Sequence, residues 1–313
     1  MKKEIAAIGA GAWGINLVRT LHSLGVLACV VETSASLREK IESEFPDLLI
    51  LSEIDQLFSQ DGIKAVTIAT PAVTHHDIAR RCLLAGFDVF VEKPMTMNSV
   101  EAEDLVALAE SGGRILMVGH LLLYKPAVEF IRNYLRDGRL GRVFTLHQER
   151  MKLGRARSVE NALWSLGVHD VAVLLFFVGS EPTKVQFSGH CGLQDSIADD
   201  TYLHLTFSNG SVAHLHNSWL WPEDRRGLKV IGDRGMLVYD EKAESVTLVK
   251  KTIDGSLNNQ DDGSELLFQT PTGDQPLRTE LQHFLDSILA RTKPLSSGES
   301  GVEVIRVLEQ CLV

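Results

Sequence analysis

Through the first 120 residues, short apolar runs alternate with stretches in which apolar positions recur three and four residues apart. The runs are Ile5–Ile8, Leu27–Val31, Leu48–Leu51, Ala65–Ala69, Asp88–Val91 and Ile115–Val118. Nearly every position in them is apolar, as in strands covered on both faces. The stretches between them, about 13–23, 34–44, 53–59, 74–85 and 98–111, have helical periodicity. Ser34 and Thr74 stand where N-caps belong, and Gly25, Gly86 and Gly112 where helices stop. This alternation predicts a parallel, doubly wound sheet with helices on both faces.

The second half changes rhythm. Lys125-Pro126 opens a helix to about Asp137, which Gly138 and Gly141 end. A strand over Arg142–Leu153 and a helix over Glu160–Val178 follow. Strands are then predicted at about 184–191, 199–208, 211–221, 228–232, 236–240 and 245–251. Asn209-Gly210 is a two-residue hairpin signal. Residues 252–264 are polar and rich in Gly, Asp and Asn, so they read as a loop. Helices at about 276–290 and 298–312 close the chain. The expectation is an α/β domain over 1–120, then an α+β domain over 121–313 built on a large, mostly antiparallel open sheet.

With 313 residues, of which 44% are hydrophobic, the chain can bury two cores. Its net charge of −10 disfavours nucleic acid as a partner. No apolar run approaches the length of a membrane span. Cys29, Cys82, Cys191 and Cys311 are scattered without a CxxC pair, as expected of thiols in a reducing compartment. The N-terminus offers no signal-peptide core, and a cytoplasmic protein is expected. No GxSxG elbow supports hydrolase chemistry. His214 and His216 share a strand face but lack further ligands, so no metal is expected. Trp219 and Trp221 read as core or interface residues.

The candidate chemistry sits at the strand ends. Between the first strand and helix runs Gly9-Ala10-Gly11-Ala12-Trp13-Gly14, a GxGxxG turn in a strand–turn–helix setting. Gly9 permits the turn, Gly11 lets backbone approach a pyrophosphate, and Gly14 lets the helix pack close. The helix N-terminus adds unpaired N–H groups and a positive dipole end. Glu32, at the end of the second strand, can accept from both ribose hydroxyls and repel a 2′-phosphate, which favours NAD over NADP. Arg38, one turn into the next helix, is the residue that opposes this preference. Ala69-Thr70-Pro71-Ala72-Val73-Thr74-His75 follows the fourth strand, Glu92-Lys93-Pro94 the fifth, and Gly119-His120 the sixth. A lysine directly after a buried strand can be a partly desolvated amine that binds a reacting hydroxyl.

ATPxxxH followed by VEKP, behind an N-terminal GxGxxG, resembles the Gfo/Idh/MocA family of oxidoreductases along essentially the whole chain. The resemblance implies a Rossmann domain, then a C-terminal α/β domain with a large open sheet. It implies NAD contacts from Gly9, Gly11, Ala12, Trp13, Gly14, Glu32, Thr70, Pro71, His75, Glu92 and Lys93. It makes Lys93 catalytic, makes Lys93–Pro94 a candidate cis bond, and matches His169 to the family's catalytic histidine. Many members carry an aspartate one turn before that histidine; here the position is Ser165, at i−4, while Asp170 points to another face. Trp164-Ser165, His169-Asp170 and Gly119-His120-Leu121-Leu122-Leu123-Tyr124 are similar to the UDP-sugar 3-dehydrogenase branch. That likeness implies a sugar or nucleotide-sugar substrate held by Lys93, His120, Tyr124, Trp164, Ser165 and His169.

Arg150, Lys152, Arg155 and Arg157 add a cationic stretch able to bind a diphosphate or sugar carboxylate; a solvated basic edge is the alternative. Arg225 and Arg226 form a weaker candidate of the same kind. The family commonly covers its open sheet with a second subunit, so a homodimer or homotetramer through that sheet is expected. A dehydrogenase of a free polyol or sugar and a non-catalytic NAD-binding regulator stay open as alternatives.

Overall fold

The computed structural model describes residues 3–154, 156–157 and 160–311. Strands β1 (Ile5–Ile8), β2 (Leu27–Val31), β3 (Leu49–Leu51), β4 (Ala65–Ile68), β5 (Asp88–Glu92) and β6 (Leu116–Gly119) form one parallel sheet. Its order is β3-β2-β1-β4-β5-β6, so the winding reverses between β1 and β4. Ligands of such sheets bind outside the carboxyl ends of the strands at that reversal. Helices α1 (Gly14–Ser23), α2 (Ala35–Glu44), α3 (Ile54–Leu57), α4 (His75–Leu84) and α5 (Ser99–Gly112) make the crossovers. β1, β4, β5 and β6 are buried at every position, which is why their sequences lack polar alternation. Ser34 and Thr74 occupy N-cap positions, but neither side chain caps its helix. The left-handed stop of α5 is Gly113, one residue past Gly112.

The chain divides into two compact units, Met1–Leu121 with Gln275–Ile305, and Leu122–Asp274 with Arg306–Val313. This corrects the expected division at 120/121, which assigned all of 121–313 to the second domain. Helix α8 (Pro276–Ala290) lies along β5: Phe284 packs on Phe90 at 5.8 Å between ring centroids, and Arg291 Nη1 donates to Asp88 at 2.7 Å. Local periodicity marks α8 as a helix but carries no information about which sheet its apolar side covers.

The second unit contains α6 (Pro126–Arg136), α7 (Val168–Val178) and strands β7 (Val143–Met151), β8 (Lys184–His190), β9 (Asp200–Thr206), β10 (Val212–Ser218), β11 (Arg225–Gly232), β12 (Gly235–Asp240), β13 (Ser245–Ile253) and β14 (Asn259–Gln269). They form an eight-stranded sheet of order β14-β13-β12-β11-β7-β10-β9-β8, antiparallel except for the β7–β10 pair. Leu146, Leu203, Leu205, Ala213, Leu215, Leu228 and Val230 are buried on one face. Tyr202 and His204 are exposed on the other. A last helix, α9, spans Gly298–Glu309.

Two sequence expectations change here. Residues 252–264 are largely strand: β13 turns into β14 around Asp254, whose carboxylate accepts from the amides of Ser256 and Asn258. The stretch looked like a loop because β14 is an edge strand, exposed along most of its length and paired through Lys250–Glu265 and Lys251–Asp261. Asn209-Gly210 sits in a three-residue connection closed by Phe207 N–H to Ser211 O, with Gly210 at φ +83°. No helix among the described residues is long and apolar enough to cross a membrane.

Candidate active site

At the glycine turn the three glycines do three different things. Gly9 has φ +87°, where a side chain is strained, and a Cβ there would meet Ala69 O at 2.8 Å. A Cβ at Gly14 would lie 2.3 Å from Gly9 O, so α1 starts against the strand only because Gly14 has none. A Cβ at Gly11 would meet nothing within 4 Å. The space over Gly11, at the N-terminal end of α1, fits a dinucleotide pyrophosphate. Glu32 is buried, and its carboxylate accepts from Ala10 N–H at 2.8 Å and Ser34 N–H at 2.9 Å, tying the turn to the end of β2. Each oxygen retains acceptor capacity for a ribose hydroxyl. Arg38 Nη1 is committed to the carbonyls of Glu32 and Thr33.

Beyond β4 and β5 the loops interlock. His75 is buried, with Nδ1 2.8 Å from Pro94 O and Nε2 2.9 Å from Thr70 O. Burial, and after it the charge of Lys93, pushes the imidazole toward its neutral form against the pull of these two carbonyls. His75 thus ties the Thr70-Pro71 turn to the Lys93–Pro94 peptide, which is cis. Glu92 is buried at the end of β5 and accepts from the Trp13 indole N–H. Burial pushes its carboxyl up to about 7, opposed by the Trp13 bond and the neighbouring Lys93 charge. Half-buried Lys93 follows, with its amide on Glu92 Oε2 at 3.3 Å. His120, past β6, is buried, and neither ring nitrogen has a hydrogen-bond partner. Burial and the Lys93 charge push it down to about 3, so it is a neutral imidazole. Together these place an amine, a neutral imidazole and a titratable carboxyl at adjacent strand ends beside the glycine turn.

In the second unit, His169 stands in the first turn of α7, directly after a π-helical turn, Leu163–Gly167. Such turns add a residue to the local repeat, so the i−4 spacing of Ser165 no longer equals one turn. Trp164 is buried, Ser165 Oγ accepts from the Trp219 indole at 3.1 Å, and Tyr124 is buried. Asp170 is fully buried and turned to the sheet, accepting from Gln148, Arg150 and Asn217.

The cationic stretch is not brought together as the sequence suggested. Arg150 is buried between Asp170 at 2.9 Å and Glu241 at 2.9 Å, so it serves an internal ion-pair network and offers no N–H fork to a ligand. That corrects its expected substrate role: β7 turns Arg150 inward, where a charge requires partners. Lys152 lies just past the strand, half-buried, and Arg157 is exposed beside Glu160 at 3.6 Å. Arg155 lies outside the described residues. Arg225 and Arg226 are paired with Glu223 and Asp224. Among the described residues no group of His, Cys, Asp or Glu could hold a metal.

Two family models match the chain: the oxidoreductase family with an NAD-binding Rossmann fold over residues 3–120, and the GFO/IDH/MocA C-terminal domain over residues 128–238. The chain belongs to the Gfo/Idh/MocA family. It is 26% identical to a UDP-N-acetylglucosamine 3-dehydrogenase of Acidithiobacillus ferrooxidans over 98% of this chain and 95% of the relative. The solved structure of that enzyme superposes with a TM-score of 0.85, covering 98% of this chain and 96% of that one. An oxidoreductase from Magnetospirillum magnetotacticum MS-1 is 31% identical, with a TM-score of 0.84 over 98% of each chain. An inositol 2-dehydrogenase of an Arthrobacter species is 28% identical over 58% of this chain and 56% of its own length.

As a Gfo/Idh/MocA protein the chain is an NAD-dependent oxidoreductase. Its glycine turn and Glu32 fit the nucleotide as described above. What sequence reasoning missed in this family framework is the ionic network of Asp170, Arg150, Glu241 and Lys125, whose members are up to 116 residues apart in number, Lys125 reaching Glu241 at 3.6 Å. Charges that meet only in the folded state leave no local signal. The one clue was that Arg150 falls in register with the buried positions of its strand.

Proposed function

We propose that this oxidoreductase removes hydride from a secondary hydroxyl of a nucleotide sugar, a UDP-N-acetylhexosamine or its uronate, with the 3-hydroxyl as the site. The observation that carries the dehydrogenase reading is Lys93 at the carboxyl end of β5, flanked by neutral His120 and by Glu92, beside a glycine turn open at Gly11. The nucleotide-sugar reading rests on full-length similarity to the Acidithiobacillus enzyme. NAD, when bound, supplies the hydride acceptor. In this reading His169 takes the hydroxyl proton and Lys93 donates a hydrogen bond to the same oxygen. Tyr124, Trp164 and Ser165 shape the sugar site, while Lys152, Arg155 and Arg157 remain for the diphosphate.

A free sugar or polyol is the second reading. The withdrawal of Arg150 into its ion-pair network favours it, because one cation assigned to a phosphate is already neutralised. A panel of UDP-sugars and free polyols, followed by NADH absorbance, separates the two. Turnover of UDP-N-acetylglucosamine with kcat/KM at least about tenfold above myo-inositol is expected; the reverse order selects the polyol. Lys93→Ala is expected to lower kcat by about 10²–10³-fold with NAD still bound, and His169→Ala by about 10²–10⁴-fold. Near wild-type rates in either variant remove that residue from the mechanism. NAD binding with no turnover of any substrate returns the regulator reading. The exposed sheet face carrying Tyr202 and His204 supports assembly as a homodimer or homotetramer.

A further inference from the structure

Trp13 stands in the glycine turn, directly before α1, and is 42% exposed. That turn abuts the end of β4: a Cβ at Gly9 would meet Ala69 O and the Thr70 side chain, and one at Gly14 the Cβ of Ala69. The Trp13 indole N–H donates one strand further on, to Glu92 at the end of β5. In the order β1-β4-β5 the two residues belong to strand ends two places apart, roughly 9–10 Å at the usual strand spacing. The Trp13 side chain therefore bridges the rim of the sheet past β4.

Glu92 is itself held in place. It is buried, and its carboxyl lies against the end of β6, where Gly119 makes the room: a Cβ there would lie 3.0 Å from both Glu92 Cδ and Oε2. Oε2 accepts from the Lys93 amide at 3.3 Å, and Oε1 accepts from the indole. The anchor is thus fixed on three sides, so holding the indole costs it little further freedom. The indole has its polar edge occupied and much of its apolar surface open, and such a surface gains when a ligand covers it. A doubly wound sheet takes one nucleotide on each side of its reversal. Glu32 at the end of β2 marks the adenosine side, and Gly11 the pyrophosphate between the two. The side beyond β4 is left to the nicotinamide nucleoside; the indole reaches into it, and Lys93 follows the same strand.

We infer that Glu92 is a positioning residue that tethers the Trp13 indole past the end of β4 as the surface on which the nicotinamide half of NAD packs, an assignment that rests on the nucleotide reading of the glycine turn and on no choice of sugar. The oxidised nicotinamide ring is a cation, and indole is the best aromatic partner for one.

NAD and ADP separate the two halves, since ADP keeps the adenosine and both phosphates but has no nicotinamide nucleoside. Calorimetric titration of the full chain gives both affinities. Glu92→Leu, which has no acceptor, should weaken NAD by about tenfold and leave ADP within about twofold. Trp13→Phe keeps a ring without an N–H; it should show the same split, and it carries the comparison should Glu92→Leu fail to fold. Glu92→Gln keeps an acceptor for the indole and should bind NAD as wild type does. Emission gives a second readout. The chain has four tryptophans, so the Trp13 signal is the difference between wild type and Trp13→Phe. NAD should quench that difference, because the nicotinamide cation accepts charge from indole, and ADP should leave it unchanged. NAD and ADP weakening in step, or neither weakening, overturns the inference, as does a Trp13 signal that NAD leaves unquenched. Glu92→Gln as weak for NAD as Glu92→Leu overturns the tether, since the charge of Glu92 and not its hydrogen bond would then matter. Wild type that binds neither nucleotide brings down the nucleotide reading of the glycine turn and this inference together. None of these readouts needs turnover, so a chain inactive on every sugar defeats the dehydrogenase reading without touching this one.

Discussion

Gly11 and Gly14 belong to one motif yet answer to different physics. Gly14 is a packing glycine, since its Cβ would lie 2.3 Å from a backbone oxygen; Gly11 faces open space. Gly14→Ala is expected to cost about 1–3 kcal/mol or more of stability. Gly11→Ala is expected to leave stability within about 0.5 kcal/mol and to weaken NAD by about tenfold or more, because a methyl group then occupies the approach of the pyrophosphate. Denaturation curves and NAD titrations of both variants check this; equal destabilisation by the two would remove the distinction. Glu32 shows the same layering at one residue. The sequence marks it as the ribose acid, and the structure adds that it also ties the glycine turn in place through Ala10 N–H.

At the scale of the element, the helix that carries His169 is uneven. Its π-helical turn over Leu163–Gly167 rests on β10 through Gly167, where a Cβ would come within 2.4 Å of Asn217 Oδ1 and 2.5 Å of Leu163 Cδ1. Asn217 in turn donates to Asp170. Gly167→Ala is expected to cost about 1–3 kcal/mol and to lower turnover more than NAD affinity, since it shifts the turn that precedes His169. Calorimetry and steady-state kinetics measure both effects; a stable variant with unchanged kcat would show that the turn does not position the histidine. The helical pattern of 160–178 predicted the element but not the extra residue in its turn, because π-turns arise from what the helix packs against.

For the whole molecule, the consequential fact is that the first unit is discontinuous in sequence, Met1–Leu121 being completed by Gln275–Ile305. Residues 1–121 expressed alone lack the partners of Phe90 and Asp88 and should bind a hydrophobic dye and aggregate. The same residues joined by a short linker to 275–305 should recover a cooperative unfolding transition. A cooperative, dye-silent 1–121 fragment would show that α8 is dispensable to the sheet.

Much of this protein was legible in its sequence. Each strand of the parallel sheet was marked by its apolar run, because strands buried on both faces, as β1 and β6 are, lack polar alternation. The GxGxxG turn, Glu32, Glu92-Lys93-Pro94 and His120 were readable because each lies within a few residues of a strand end, where chemistry and local order coincide. What only the tertiary structure decided is where distant residues meet. It turned Arg150 inward to Asp170 and Glu241, made an exposed polar stretch into edge strand β14, and laid α8 on β5 so that Phe284 packs on Phe90. Periodicity records which side of an element is apolar; the partner of that side is chosen by packing between segments far apart in the chain.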